Sequence, residues 1–234
     1  MVNENVTVVI GADRGIGRAI FDGLRNAVSD DGTSDVVVGL GDEIDFADPS
    51  AVAASFAEIA TRGTINRVVF CFIDESAFTP APIIEMDEAA WDAAGERSLR
   101  AALITFQEVH RNIADGGRVV LVLPTVGAVG VADLVPLCSA VEGVRVMAKA
   151  VARRWGARSI TVNTIEVELS AFILGDEPVG DRVLPAVATL GASALPAGSA
   201  TQDVVGLIDM LSTDAGGALT GALLVADRGT VMQP

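Results

Sequence analysis

The chain has 234 residues, of which half are hydrophobic, 24 are glycine and only 4% are aromatic. This length predicts one large domain with a buried core, and the mixture of Val, Ala and Gly is typical of parallel strands covered by close-packed helices. The formal net charge of −15 argues against nucleic acid or an anionic membrane as a partner, because both would repel the chain.

The composition also argues against a disulfide framework and a metal site. Two cysteines, Cys71 and Cys138, are too few for a framework, and with the single His110 they give no metal-ligand spacing. The opening residues are polar, and no apolar run reaches membrane-spanning length. We therefore expect a soluble, cytoplasmic protein with neither a metal ion nor a membrane anchor.

The chain opens with an apolar run that breaks into glycines and resumes with helical spacing, which predicts a strand, a tight turn and a helix. Gly11, Gly15 and Gly17 stand where a sharp turn and close helix-strand packing both require a missing Cβ. Such a turn directs free backbone N–H groups and a helix N-terminus at a bound pyrophosphate. The candidate cofactor-binding residues are Gly11, Arg14, Gly15, Ile16 and Gly17.

Strands and helices alternate along the rest of the chain. Apolar runs predict further strands at residues 36–40, 67–73, 119–123, 160–165 and 219–226, with a remnant strand around 44–46. The pattern as a whole predicts one α/β domain, a Rossmann-like doubly wound parallel sheet with helices on both faces and ligands at the carboxyl ends of the strands.

Three further segments have individual predictions. Apolar residues at helical spacing predict two long helices, at residues 89–114 and 136–155. Residues 166–199 are rich in Ala, Gly and Pro with weak periodicity, so we expect a mobile flap there. The domain itself is predicted to span residues 1–234.

This order of elements resembles the short-chain dehydrogenase/reductase family over nearly the entire chain. Residues 10–17 resemble the family's T-G-x-x-x-G-x-G turn, and residues 45–48 resemble its Asp-x-x-Asp. Residues 117–120, 160–163 and 219–221 match its G-R-I-V, I-T-V-N and I-T-G segments. The resemblance implies the fold of an NAD(P)-dependent hydroxyl/ketone oxidoreductase.

The residues that carry the family's chemistry are replaced. The family uses a Tyr as general acid/base, a Lys four residues later, a Ser on the preceding strand and an Asn in the long helix. In the order Asn, Ser, Tyr and Lys, these positions fall on Ser98, Pro124, Leu137 and Val141. The chain contains no tyrosine, and Leu, Val and Pro can neither transfer a proton nor donate a side-chain hydrogen bond. We therefore assign no catalytic residue.

The cofactor positions carry changes as well. Asp13 lies in the phosphate turn, where a carboxylate about 4 Å from a phosphate costs on the order of 1–4 kcal/mol. The family's N-N-A-G falls on residues 71–74, which are bulky and acidic, and its P-G falls on Val167 and Glu168. We expect no bound cofactor, with NAD or NADP as the alternative, in which case Arg14 would meet a phosphate.

Four carboxylates stand near the predicted strand ends. One interpretation is that they converge to form an acid/base cluster, and the other is that they reflect sequence drift after the loss of cofactor binding. The four are Asp13, Asp74, Glu166 and Glu168. These departures favour a catalytically silent subunit that supports an active family member in a hydroxyl/ketone dehydrogenase complex. The resemblance to the family implies hydroxyacyl-CoA as one substrate of that complex. Two alternatives stay open, a ligand- or redox-sensing regulator and an active oxidoreductase with unorthodox residues.

The two long helices predict a partner surface. Each helix carries more apolar residues than a single buried stripe would use. They are Leu103, Phe106 and Val109 on the first helix, and Val144, Val146, Met147, Val151 and Trp155 on the second. Such an apolar excess would leave an unusually large patch on a monomer, so a second protein should cover it. We expect these helices to pair with those of an active family subunit as a four-helix layer in a hetero-oligomer, a tetramer, with self-association as the alternative.

Overall fold

The computed structural model describes residues 4–27, 35–178, 192–196 and 198–232. Six parallel strands form one sheet in the order β2-β1-β3-β4-β5-β6. The strands are β1 Asn5–Ile10, β2 Val36–Leu40, β3 Thr64–Phe70, β4 Arg118–Pro124, β5 Thr161–Val167 and β6 Leu223–Val225. The order reverses at β1, so the carboxyl ends of β1 and β3 open a crevice between them. The predicted α/β fold is confirmed.

Helices cover both faces of the sheet. They are α1 Gly15–Asn26, α2 Pro49–Ala60, α3 Glu88–Trp91, α4 Arg97–Asn112, α5 Val126–Val129, α6 Val135–Trp155, α7 Leu169–Leu174 and α8 Ala200–Ser212. On one face α1 contacts α7 and α8, and on the other α4 packs between α2 and α6. Among the described helices, none combines the length and the apolar character that crossing a membrane requires.

Two predicted elements differ from the structure. Residues 44–46 form turns and not a strand, because the N–H groups of Ile44 and Asp48 donate to carbonyl oxygens three residues earlier. The helix predicted at 89–114 is divided into α3 and α4 by a π-helical turn, Asp92–Glu96. This wider turn buries Ala94 and Gly95 and packs against α6.

The segment predicted as a flap begins with ordered elements. β5 continues to Val167, and α7 follows after a single residue. Leu169, Phe172 and Leu174 of α7 are buried, so this short helix packs against the rest of the domain. Residues 179–191 and 197 lie outside the described residues, so the rest of the flap prediction is not addressed.

One backbone contact sets the position of α1 on the sheet. A Cβ built on Gly17 would lie 1.9 Å from the carbonyl oxygen of Gly11 and 3.3 Å from the Cβ of Cys71. Real Cβ atoms do not approach a backbone oxygen this closely, so only glycine fits. The glycine thus allows the first turn of α1 to rest directly on the end of β1.

We predict that Gly17→Ala lowers the free energy of unfolding by about 3 kcal/mol, because neither backbone can yield without moving α1. Gly206→Ala in α8 is the matched control. A Cβ there meets no atom of the described residues within 4 Å, so the change should raise the free energy of unfolding by about 0.5–1 kcal/mol. Urea denaturation of both variants measures this. Equal stability of the two variants would contradict the proposed packing constraint.

Candidate functional site

The turn between β1 and α1 lies at the crevice. The N–H groups of Gly11 and Ala12 both donate to the carbonyl oxygen of Leu40, at 2.8 and 3.0 Å, which ties the turn to the end of β2. Gly11 has φ +81°, a conformation that favours glycine. Arg14 precedes the first turn of α1 without capping it through its side chain. The Arg14 side chain therefore does not occupy the first N–H groups of α1, which are the groups that bind an anion at a helix N-terminus.

Charged side chains surround this turn. The Arg14 guanidinium lies 2.9 Å from Glu75 Oε2 and 3.5 Å from Asp42 Oδ1. All three side chains are substantially exposed, and such ion pairs contribute only about 0–1 kcal/mol. Little free energy would therefore be lost if Arg14 exchanged these partners for a phosphate.

Asp13 is held beside another carboxylate. Partial burial, together with a hydrogen bond to the Asp42 carboxyl, raises the pKa of Asp13 above its usual value. Asp13 also packs against the backbone at the end of β2, since a Cβ on Gly41 would lie 2.6 Å from its Cβ. The structure thus places two neighbouring carboxyl groups, those of Asp13 and Asp42, at the edge of the phosphate turn.

A small apolar cavity adjoins the turn. Its volume is about 160 Å³, and its lining includes Gly11, Arg14, Phe72, Ile73, Phe78 and Phe172. The ring of Phe72 packs on that of Phe46 with 4.7 Å between centroids, so the family's small N-N-A-G surface is replaced by aromatic bulk. The space next to the glycines is consequently narrow and hydrophobic.

The helix α7 lies directly on the turn. A Cβ built on Gly15, whose φ is +49°, would lie 2.3 Å from the carbonyl oxygen of Phe172 and 2.7 Å from that of Ile173. The two backbones are therefore in contact. This arrangement was not predicted, because the sequence shows only a short apolar run at this place.

The four positions of the family's catalytic residues are all buried. Leu137 and Val141 have no exposed surface and belong to the hydrophobic core, and Pro124 is buried at the end of β4. Ser98, also without exposed surface, accepts a 3.0 Å hydrogen bond from the Asp74 N–H. Its hydroxyl thus fixes the loop after β3. None of the four side chains faces open space in which a substrate could lie.

The four carboxylates near the strand ends have separate partners. The Asp74 carboxylate accepts from Arg97 Nε at 2.7 Å, and Glu168 accepts from the hydroxyls of Ser170 and Thr230. Asp13 is paired with Asp42 as described above. Within residues 4–27, 35–178, 192–196 and 198–232, no group of three or more His, Cys, Asp or Glu side chains is arranged to hold a metal ion.

Glu166 belongs to a buried ionic group that sequence reasoning missed. Its carboxylate is fully buried at the end of β5, and its Oε1 lies 3.9 Å from Arg145 Nε on α6. Arg145 Nε also donates to Glu142 at 3.1 Å, and both glutamates raise the pKa of the guanidinium. The ionic group ties α6 to the sheet. Sequence alone gave no signal for it, because Arg145 is far from Glu166 along the chain.

The two cysteines show no sign of thiolate chemistry. Burial raises the pKa of the thiols of both Cys71, which is buried, and Cys138, which is partly buried. Both thiols therefore stay protonated at neutral pH, whereas a reactive cysteine requires a lowered pKa. This finding gives no support to the redox-sensing alternative.

Comparison with known proteins identifies the family. A family model described as Enoyl-(Acyl carrier protein) reductase matches residues 21–231. The chain belongs to the short-chain dehydrogenase/reductase family. D-threitol dehydrogenase of Mycolicibacterium smegmatis is 28% identical over 250 residues, covering 97% of this chain and 93% of the relative. Cis-4-hydroxycyclohexanecarboxylate dehydrogenase of Sinomonas cyclohexanicum is 28% identical over 247 residues, covering 97% and 96%.

Solved structures of this dehydrogenase/reductase fold correct one expectation. A blue fluorescent protein from a metagenomic library, in complex with NADPH, matches with a TM-score of 0.77 and 22% identity, covering 99% of each chain. A short-chain dehydrogenase from Burkholderia cenocepacia, in complex with NADP, matches with a TM-score of 0.74 and 21% identity, covering 96% of each chain. The expectation of no cofactor is therefore wrong, because structures similar to this chain were solved in complex with NADPH or NADP.

The acid pair at the turn generates a prediction about stability and pH. Because the pKa of Asp13 is raised in the folded state, ionisation of Asp13 weakens the fold as the pH rises through that pKa. Asp13→Asn should therefore stabilise the protein at pH 7, by less than about 1 kcal/mol since solvent screens the exposed pair. The gain should disappear below pH 3.8, where the unfolded carboxyl is also protonated. Denaturation midpoints at several pH values test this, and a loss of stability at pH 7 would contradict it.

Proposed function

We propose that this chain is a dinucleotide-binding member of the family that does not transfer protons itself and acts as a non-catalytic subunit of an oxidoreductase assembly. One observation carries the proposal. The acid/base positions Leu137 and Val141 are apolar and completely buried in a chain without tyrosine. The active-enzyme alternative would need another proton donor at the same place.

The loss of proton transfer follows from this packing. Reduction of a ketone needs a proton donor within hydrogen-bond reach of the carbonyl oxygen, and such a group typically contributes about 10²–10⁴-fold to the rate. Leu137, Val141 and Pro124 offer no proton and lie in the core. Placing Tyr and Lys at 137 and 141 would not suffice, because the two side chains would enter a filled core with no cleft in front of them.

The glycine turn keeps the features that a dinucleotide needs. The N–H groups of Gly15, Ile16 and Gly17 would hold the pyrophosphate, and Arg14 would add a charge-assisted contact. A bound nicotinamide dinucleotide would supply a hydride, as in the family generally. NADPH and NADP in the similar structures support this part of the proposal.

The surroundings of β2 favour NAD(H) over NADP(H). Asp42 and Glu43 follow directly after the end of β2, and the Glu43 carboxylate accepts from the Gly41 N–H at 3.0 Å. In dinucleotide-binding folds a carboxylate at this place hydrogen-bonds the ribose hydroxyl, and it would repel a phosphate on the same ribose. NADH is therefore the appropriate probe.

The surface between α4 and α6 supports the partner part of the proposal. Here Leu103 is 49% exposed and Val146 is 60% exposed, beside a groove of about 350 Å³ that Met147 and Val151 help to line. The exposed apolar surface of the two helices is smaller than the sequence indicated, because four of their apolar side chains are buried in the chain's own core. These are Phe106, Val109, Val144 and Trp155. An active family subunit could pair its equivalent helices with these to form a four-helix layer, and self-association is the alternative.

We predict that the purified chain binds NADH without oxidising it in the presence of short acyl or alicyclic ketones. NADH fluorescence measures binding, and its absorbance measures turnover. Arg14→Met should weaken binding by about tenfold, since it removes one charge-assisted contact, and Arg111→Met on the far face should not weaken it. NADPH should bind less tightly than NADH. Turnover above a no-enzyme control would refute the catalytic silence, and failure to bind would refute the dinucleotide site.

We predict that the chain is oligomeric and that Val146→Asp shifts it toward the monomer, because a buried charge in the α4–α6 surface lacks a partner. Ile84→Asp is the control, since Ile84 is 91% exposed on a distant loop. Light scattering after size-exclusion chromatography measures both. A wild-type monomer would contradict the interface, and a homo-oligomer that never co-purifies with a Tyr-x-x-x-Lys-bearing family member would contradict the mixed assembly.

A further inference from the structure

The helix α7 lies against Gly15, one of the residues whose N–H groups would hold a pyrophosphate. Two carbonyl oxygens of α7, from Phe172 and Ile173, meet Gly15 at backbone-contact distance. On the same side, a Cβ on Gly175 would lie 2.9 Å from the carbonyl oxygen of Gly15 and 3.2 Å from the Cβ of Ala19. The start of α1 is therefore covered along one side by backbone.

The space left beside this contact is too small for a dinucleotide. The cavity at the turn measures about 160 Å³, whereas pockets for drug-sized ligands measure roughly 300–1,000 Å³. The two α7 carbonyls are also hydrogen-bond acceptors, and acceptors repel the oxygens of a phosphate. Neither the volume nor the chemistry admits a pyrophosphate while α7 stays in this position.

We propose that α7 is a displaceable cover of the glycine turn, so that dinucleotide binding and the docked position of α7 exclude each other. This inference rests on the proposed dinucleotide binding. It adds that the ligand changes the conformation of α7, which gives a protein without proton-transfer residues a way to respond to the dinucleotide.

The elements around α7 allow such a movement. The helix has only six residues, too few to be stable without packing. Its largest buried side chain is Phe172, which anchors the helix with its ring centroid 6.0 Å from that of Phe78. The helix ends at Gly175, whose φ of +62° lies in the region that glycine adopts readily.

Both ends of α7 are attached to fixed structure. Val167 belongs to β5, in the sheet. Beyond the helix, the Asp176 carboxylate accepts from the Ser199 hydroxyl at 2.8 Å and from the Thr201 N–H at 3.3 Å, at the start of α8. These hydrogen bonds lower the pKa of Asp176. A displacement is therefore confined to the helix, with Gly175 as the joint.

Hydrogen exchange measured by mass spectrometry tests the wild-type chain with and without NADH. We expect NADH to slow exchange in residues 11–20 and to speed exchange in residues 169–174, because the ligand protects the turn and releases α7. Slower exchange in both segments would mean that α7 closes over the ligand, and it would overturn the inference while leaving the binding intact. No change in either segment, together with no fluorescence response, would refute the dinucleotide site as well.

A variant gives an independent measurement. Phe172→Ala removes the largest buried side chain of α7, so less of the binding free energy is used to displace the helix, and the Kd for NADH should fall by about tenfold. Ser170→Ala on the same helix is the control, since its hydroxyl contacts Glu168 and not the turn. An equal or higher Kd for Phe172→Ala in a folded protein would overturn the inference. If that variant does not fold, the exchange experiment on the wild type still decides.

Discussion

The structure depends on the close approach of α1 to the end of β1. Gly17 and Gly11 meet without an intervening side chain, beside Cys71 at the end of β3. This contact lies where the strand order reverses, so it fixes both the first helix and the crevice in which ligands of this fold bind. Arg14 and the contact between Gly15 and α7 both adjoin it. A side chain at Gly17 would force α1 away from the end of β1.

Two side chains that are predicted to stand at the family's catalytic positions contribute to the stability of the core. Leu137 and Val141 are fully buried, and burial of such a side chain typically contributes about 1.5–3 kcal/mol. A Tyr or Lys in the same place would need hydrogen-bond partners or an opening to solvent. The charged group of Glu166 and Arg145 is a polar contact on this side of the sheet, and it joins α6 to β5.

The sequence predicted the sheet and the turn well because their signals are local. A run of β-branched residues indicates a buried strand wherever it occurs, and glycine spacing reflects backbone geometry at the glycines themselves. The position of α7 depends instead on Gly15 and Phe78, which are distant in sequence. The π-helical turn depends in the same way on its packing against α6. Long-range contacts of this kind leave no periodic trace, so the shape of the candidate site could not be predicted although most of its residues were.

The sheet separates the two surfaces that the proposed function requires. The glycine turn and α7 lie on the face of α1 and α8, whereas the apolar groove lies between α4 and α6 on the other face. The long helix α6 carries the buried Leu137 near its start and Met147 and Val151 of the groove in its second half. A partner at the groove would therefore not need to contact the turn. The proposed assembly and the proposed dinucleotide binding thus use separate surfaces of one chain.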